Sequence, residues 1–293
     1  MIKLIIDTDI GNDIDDAMAL SFALNHSEID LLAITTTSGE AWYRKRIAEE
    51  FVALSSSHVP VYEGLSCPLL GKKLQPETFQ RLKTVKKDSI VSENPFAAVQ
   101  AIADLVERYP DQIVLCAIGP FSNVALFIQS YPKLVPKLKK VIVMGYKVSQ
   151  DIDDMHKLDW NVMCDEVAAQ SLVQADFKEL VIVPCDVTYD IHSDKTVLGE
   201  KLHGVHHQLI KELAAYWFEK YDGFSYHDPI TLLYLVKPEL FDVEHGTLVY
   251  NSSNSPLLTQ YDWLESTKKS SHTLVTKLNK EEVLKALYET LNK

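Results

Sequence analysis

The sequence predicts an α/β protein, one domain built on an open, mostly parallel sheet with helices on both faces. Three observations carry that prediction. Short apolar runs of strand length recur along the 293 residues. Stretches with helical spacing separate those runs, and polar turns follow the carboxyl ends of several of them. Strand and helix in alternation imply right-handed crossovers between parallel strands. No repeat, low-complexity tract or clean linker interrupts residues 1–293, which are therefore read as a single domain.

Ile2 to Ile6, apolar except for Lys3, has the length and branching of a buried strand. Ala17 to Leu24 reads as a helix and Ile29 to Thr35 as the next buried strand. The turn Thr37-Ser38-Gly39 leads into a helical stretch from about Glu40 to Leu54, and Val59 to Gly64 is a short strand and turn. Cys67 to Glu93 is lysine-rich and weakly periodic, so an irregular excursion is expected there. Asn94-Pro95 opens a helix to Arg108, with Ala97, Ala98, Ala101, Ile102 and Leu105 at helical spacing. Ile113 to Ile118 is a strand, and Gly119 to Asn123 is a turn into a helix ending at Tyr131-Pro132. Val141 to Met144 and Leu180 to Val183 are strands on either side of a helix from Asp165 to Gln174. Thr188 to Tyr221 is expected to be largely helical, and Asp228 to Leu235 is another helix. Two shorter strands, Thr247 to Tyr250 and Thr273 to Thr276, precede a final helix near Glu281 to Leu291.

Composition narrows the class. Hydrophobic residues make up 46% and charged residues 24%, ordinary proportions for a soluble globular protein. The net charge of −12 argues against general nucleic-acid binding and supplies no basic patch for an anionic membrane surface. No apolar run approaches the length of a transmembrane helix, and the amino terminus enters a strand without the features of a secretory signal. Cys67, Cys116, Cys164 and Cys185 are widely spaced and form no Cys-x-x-Cys pair, so they read as reduced side chains. A cytoplasmic protein is expected.

The chain is organised around its first strand end. Asp7, Asp9, Asp13, Asp15 and Asp16 are five aspartates within ten residues, directly after a buried strand. Strand ends are where open α/β sheets bind ligands. Carboxylates crowded there repel one another unless a cation, a shared proton or full exposure to water relieves them. Several hard oxygens aimed at one point suit Ca²⁺ better than Mg²⁺. The plainer alternative is a solvated turn whose aspartates cap the helix near Ala17. An EF-hand loop is excluded, because counted from Asp7 its Gly and Glu positions hold Asn12 and Met18.

This stretch resembles the amino-terminal signature Asp-x-Asp-x-Gly-x-Asp-Asp-Ala of the inosine-uridine-preferring nucleoside hydrolases, with two extra residues between the Gly and the Asp-Asp-Ala. Further stretches are similar to that family in the same order along the chain. Gly119-Pro120-Phe121-Ser122-Asn123 resembles its Gly-Pro-Leu-Thr-Asn turn. Met144-Gly145, then Asp159-Trp160-Asn161, then Asp165-Glu166-Val167-Ala168-Ala169 resemble its Met-Gly-Gly, Glu-Phe-Asn and Asp-Pro-Glu-Ala-Ala. Asp186-Val187-Thr188 and Tyr226-His227-Asp228-Pro229 resemble two later family stretches, and Asp186 is placed behind the site.

The resemblance implies a Rossmann-like single domain and hydrolysis of a ribonucleoside to free base and ribose, a step of nucleoside salvage. It implies a calcium ion held by Asp9, Asp16, the Ser122 carbonyl and Asp228. Asp9 or its neighbour would take the proton of the attacking water, and His227 would protonate the leaving base. Asp15, or Asp13 given the expanded register, would hold the sugar. Asp159 and Asn161 would grip ribose hydroxyls, sharing one face if the chain there is extended. The implied partner is a small nucleoside or ribosyl compound, and family members are commonly homodimers or homotetramers.

Three departures bear on the substrate. Gly39-Glu40 stands where the family has Gly-Asn, placing Glu40 among the sugar-binding candidates. The family's His-Gly loop is missing, with no histidine between His58 and His156 and with Lys83 to Glu93 filling the region. The loop Tyr146 to Leu158 carries Asp151, Asp153 and Asp154 in place of a Gly-Asn. Two other classes use the same residue types. One is a metal-dependent phosphoester hydrolase preferring Mg²⁺, and the other is a calcium-stabilised sugar-binding protein without turnover.

Overall fold

Alternation along the strands decides how the core divides. In the first strand, β1 (Ile2–Thr8), Leu4 and Ile6 enter one apolar cluster while Ile5 enters another, because successive side chains leave opposite faces. The same split recurs in β4 (Ile113–Ala117), β5 (Lys140–Met144) and β6 (Leu180–Val183). Strands buried on both faces read as continuous apolar runs, which is why they were visible in the sequence.

The structure is a computed structural model and describes residues 1–83, 92, 94–148, 159–251, 260–266 and 272–293. Among the described residues, adding β2 (Ile29–Thr36), β3 (Val61–Glu63), β9 (Phe241–Asn251), β10 (Gln260–Glu265) and β11 (His272–Leu278) gives a nine-stranded sheet in the order β10-β9-β11-β6-β5-β4-β1-β2-β3. Neighbours from β3 to β11 run parallel, whereas the β11-β9-β10 end is antiparallel. The mostly parallel sheet is as expected. One face is covered by α1 (Asp15–Asn25), α2 (Ala41–Leu54), α9 (His207–Trp217), α10 (His227–Val236) and α11 (Lys280–Leu291). The other is covered by α3 (Ala97–Arg108), α4 (Ser122–Ser130) and α6 (Glu166–Val173).

Three expectations are corrected. Residues 188–221 are not continuously helical: α7 (Cys185–Thr188), α8 (Lys195–Lys201) and α9 are interrupted by β7 (His192–Asp194), which pairs with β8 (Gly223–Ser225) in a separate ribbon. The polar, exposed His192–Asp194 has no apolar signal to betray a strand. β9 extends well beyond Thr247–Tyr250 and pairs with β10, which was not anticipated. Its Asp242–His245 stretch is exposed, so the antiparallel edge lacks the apolar run of a central strand. Finally, Asp159-Trp160-Asn161 is not extended, because a short helix, α5 (Trp160–Cys164), begins at Trp160. Lys83 is described, whereas most of Lys83 to Glu93, and Asp151, Asp153 and Asp154, lie outside the described residues. Among the described residues, no helix is long and apolar enough to cross a membrane.

Candidate active site

β1 delivers Asp7, Thr8 and Asp9 to the carboxyl end of the sheet, in register with Thr35 and Thr36 of β2. Asp7 is held there rather than displayed. Its Oδ1 accepts hydrogen bonds from the Thr35 hydroxyl at 2.5 Å and from Asn123 Nδ2 at 2.8 Å. Burial pushes its carboxyl up to about 7, against the lowering effect of those two donors. Asn123 also donates to the Thr36 carbonyl at 3.0 Å and accepts from Leu65 N–H at 2.8 Å, tying the ends of β1 and β2 to the start of α4.

Beyond Thr8 the chain turns through Gly11, at φ +126°, and re-enters helix at Asp15. The Thr8 hydroxyl accepts from Ile10 N–H at 3.1 Å and donates to the Asp16 carboxylate. Asp15 Oδ2 accepts the backbone N–H of Asp228, at the start of α10, at 3.3 Å. A β-carbon on Gly119 would lie 2.7 Å from Asp9 N and 2.9 Å from Asp9 Oδ1, so only glycine lets the turn after β4 approach Asp9. Three strand ends and the start of α10 thus meet around the aspartates.

These aspartates are not helix caps. Neither α1 nor α10 has a side-chain cap, although each carries acidic residues in its first turn. Asp9, Asp15, Asp16 and Asp228 are each at most 6% exposed. Burial raises all four carboxyls, and repulsion from the neighbouring aspartates adds to it. Asp9 is pushed up to about 6, and Asp15, Asp16 and Asp228 rise well above the usual carboxylate range. Arg44, wholly buried in α2, is the basic group facing Asp9 and Asp16. Its N–H groups donate instead to the carbonyls of Asp9, of Ile10 at 2.9 Å and of Ser38 at 2.8 Å. A crowd of buried hard oxygens, faced by one guanidinium whose N–H groups go to backbone carbonyls, suits a divalent metal ion. Among the described residues, Asp13, Asp15 and Asp16 bring carboxylate oxygens within 4.8 Å of one another and could hold it. Of the expected set of Asp9, Asp16, Ser122 and Asp228, Asp16 belongs to that trio, and Asp9 and Asp228 lie near enough to repel it, whereas the resemblance offered Asp13 only as a substitute for Asp15 on the sugar.

The remaining candidates divide. His227 opens α10, with its Nδ1 2.6 Å from the Thr188 hydroxyl. Ser122 starts α4, and its hydroxyl donates to Asp165 Oδ2 at 2.6 Å. Asp159 caps α5, with its Oδ1 accepting Val162 N–H at 3.0 Å. Burial raises its carboxyl to about 7, against backbone donors that include the Val162, Tyr146 and Asn161 N–H groups. Asn161 donates from Nδ2 to the carbonyls of Ile118 at 2.9 Å and Met144 at 3.1 Å, joining the ends of β4 and β5. Asp186 accepts Val148 N–H at 2.9 Å. Glu40 is turned toward residues 78–81: its Oε2 accepts both the N–H and the hydroxyl of Thr78 at 3.0 Å and lies 3.5 Å from Arg81. The sequence reading missed Arg44, Thr78, Gln80 and Tyr146. Arg44 looks like one more polar residue of an amphipathic helix, and Thr78 and Gln80 sit in a stretch without periodicity. Tyr146 stands where the family has glycine and adopts φ +71°, a left-handed conformation, which was a legible signal.

Comparison with known proteins gives the same picture. The model of the inosine-uridine preferring nucleoside hydrolases matches residues 4–285. Uridine nucleosidase 1 of Arabidopsis thaliana is 28% identical over 263 residues, covering 84% of this chain and 77% of the relative. The pyrimidine-specific ribonucleoside hydrolase RihA of Salmonella newport is 26% identical over 257 residues, covering 82% of this chain and 81% of its own. Among solved structures, a purine-preferring ribonucleoside hydrolase from Gardnerella vaginalis superposes with a TM-score of 0.81 at 19% identity, over 99% of this chain and 98% of that one. At that identity the likeness speaks for the fold, and the family match speaks for descent. With its acidic turn at the carboxyl end of β1 and a family match running almost from end to end, the chain belongs to the inosine-uridine preferring nucleoside hydrolases.

Proposed function

We propose that this chain hydrolyses the N-glycosidic bond of a ribonucleoside, using a calcium ion held in the acidic turn. The observation that carries this reading is the burial of Asp9, Asp15, Asp16 and Asp228 at one strand end without helix-capping roles. Asp9, Asp16, the Ser122 carbonyl and Asp228 would hold the ion, together with Asp13 and Asp15, whose carboxylate oxygens converge with those of Asp16. When bound, such a cation lowers the pKa of a water and accepts the sugar's hydroxyl oxygens.

Cleavage passes through a sugar resembling an oxocarbenium ion, so the chain must remove a proton from water, tolerate positive charge and protonate the departing base. Asp9, with its carboxyl raised to about 6, takes the water proton. Asp15 and Asp13 hold the sugar hydroxyls, and their negative charge favours the cationic sugar. Asp159 and Asn161 support the far side of the ribose from the first turn of α5. His227 protonates the base. With Nδ1 engaged by Thr188, Nε2 is the ring nitrogen assigned that proton. The substrate is a nucleoside or related ribosyl compound, and the names of the relatives point to uridine and other pyrimidine nucleosides as the first panel.

The test is release of reducing sugar from a panel of purine and pyrimidine nucleosides, with and without a calcium chelator. Release that the chelator stops supports the reading, and the ranking names the base. No release, with calcium still bound tightly by calorimetry, overturns it in favour of a sugar-binding role. Turnover of phosphate esters with Mg²⁺ overturns it in favour of phosphoester hydrolysis.

A further inference from the structure

Two departures from the family pattern, the expanded turn Gly11–Ile14 and Glu40, meet at one place, where the segment Gln75–Leu82 of the irregular excursion joins them. That segment lies as a strap along the turn. Gln80 N–H donates to the Gly11 carbonyl at 2.9 Å, and Phe79 N–H donates to Asn12 Oδ1 at 3.2 Å. The Gln80 side chain, wholly buried, donates from Nε2 to the Asp13 carbonyl and, at 3.4 Å, to the Asn12 carbonyl. The inserted residues are therefore gripped through their backbone by the strap.

Glu40 fastens the strap from the other side. Its two hydrogen bonds from Thr78 and its pairing with Arg81 fix the residues just before and after Gln80. Contacts around it leave no slack: a β-carbon on Gly39 would lie 2.5 Å from the Gln75 carbonyl oxygen, and one on Gly11 would lie 3.0 Å from Thr78 Cγ2. Leu82 N–H donates to the Tyr43 hydroxyl at 2.9 Å, and Lys83 pairs with Glu212 at 2.9 Å, so the strap is anchored to α2 and α9. Gln80 Oε1 and Asn12 Nδ2 are buried without a partner. Burial of such atoms is unfavourable, and the fold keeps them where the strap meets the turn.

We propose that the inserted turn, Glu40 and the strap are one unit that sets the position of Asp13, and that Asp13 thereby joins Asp15 and Asp16 in gripping the cation and the sugar. Glu40 and Gln80 are positioning residues. They act through the turn's backbone and touch no substrate, so the carboxylate that replaces the family's sugar-binding asparagine has changed its task. The inference rests on the acidic turn being the cation site of the proposed reaction.

The experiment is calorimetric titration of the whole protein with calcium alone, alongside tryptic cleavage at Arg81, for Glu40→Ala, Gln80→Ala, the double variant and Glu40→Gln. Each alanine variant is expected to bind calcium about tenfold more weakly, and the double variant no more weakly than the worse single, because both break one unit. Glu40→Ala should speed cleavage at Arg81, since it frees the strap. Glu40→Gln, whose amide oxygen still accepts from Thr78, should stay within about threefold of the wild type. Unchanged calcium affinity in both single variants, or factors that multiply in the double, would overturn the proposal. If Glu40→Ala does not fold, Thr78→Val removes only the hydroxyl and reads the same link. None of these readouts needs a substrate, so failure to cleave any nucleoside would sink the functional reading while leaving this test standing.

Discussion

Two groups of aspartates begin helices in this protein, and they do opposite things. Asp159 and Asp165 stand just before α5 and α6, and each accepts the backbone N–H three residues on at 3.0 Å. Asp15, Asp16 and Asp228 stand inside the first turns of α1 and α10, where neither helix takes a side-chain cap. The first group meets the helix ends' need for acceptors and so stabilises them locally. The second group crowds buried negative charge together. Acidic residues at a helix start are thus not one signal. What distinguishes the second group is the crowd of further carboxylates around it, even though Asp15 also accepts the Asp228 N–H.

The contrast breaks most sharply at Asp9. Asp9→Asn removes a carboxylate that faces Asp13 and Asp16, and it should lower nucleoside turnover by more than about a hundredfold. Its cation-free melting temperature should not fall, because a repulsion has gone. Wild-type turnover in that variant would remove Asp9 from the site. Next in size is the response to the cation. Calcium at a hundred times its dissociation constant should stabilise the wild type by about 2.7 kcal/mol, and differential scanning calorimetry should show that shift largely lost in Asp9→Asn. An equal shift in both proteins would mean that calcium binds elsewhere.

Asp165→Ala tests the other side of the comparison. Asp165 caps α6 and also receives the Ser122 hydroxyl and Leu69 N–H. Its loss should cost about 1–2 kcal/mol in urea unfolding. Calcium-induced stabilisation should nevertheless persist, and its disappearance would place Asp165 among the cation's ligands. The smallest effect concerns a buried basic group. His206 is fully buried, with Nδ1 3.0 Å from the Ser21 hydroxyl and Nε2 2.9 Å from the Phe51 carbonyl, and burial lowers its pKa. The unfolded chain then takes the proton more readily than the native state. The contribution of His206 is complete above its unfolded value of about 6.5 and is lost as pH falls through that value toward the lower folded one. His206→Gln should flatten the fall in melting temperature between about pH 7 and pH 5. An unaltered slope would assign that fall to other groups.

How much of this was legible follows from where each signal lay. β1, β4, β5 and β6 announced themselves because burial on both faces makes an unbroken apolar run. The acidic turn was legible because five like charges after such a run demand a reason. Glu40 is a sugar-binding candidate by resemblance, and one of its partners in the chain, Thr78, lies 38 residues away in a stretch without pattern. Asp159 and Asn161 would share one face only in an extended chain, and the chain there is helical from Trp160. Asp159 is followed three residues later by an N–H that it caps, and that short-range chemistry outweighed the alternation around Trp160. β7, β8 and β10 lay beyond reach because exposed or edge strands carry no continuous apolar signature.

The hydrogen bond from Asp228 N–H to Asp15 spans 213 positions of the chain. α1 also packs against both α10 and α11, the last two helices of the described chain to be synthesised. Closing a contact of that span is slow, since chain entropy must be lost before the contact contributes anything in return. A ribosome-bound chain of some two hundred residues would have its first five aspartates and lack the helix that completes their surroundings. The acidic cluster proposed to hold the cation is therefore completed late in folding, and if it binds calcium as proposed, tight calcium binding during refolding should mark the docking of the carboxyl-terminal helices rather than the initial collapse of the sheet.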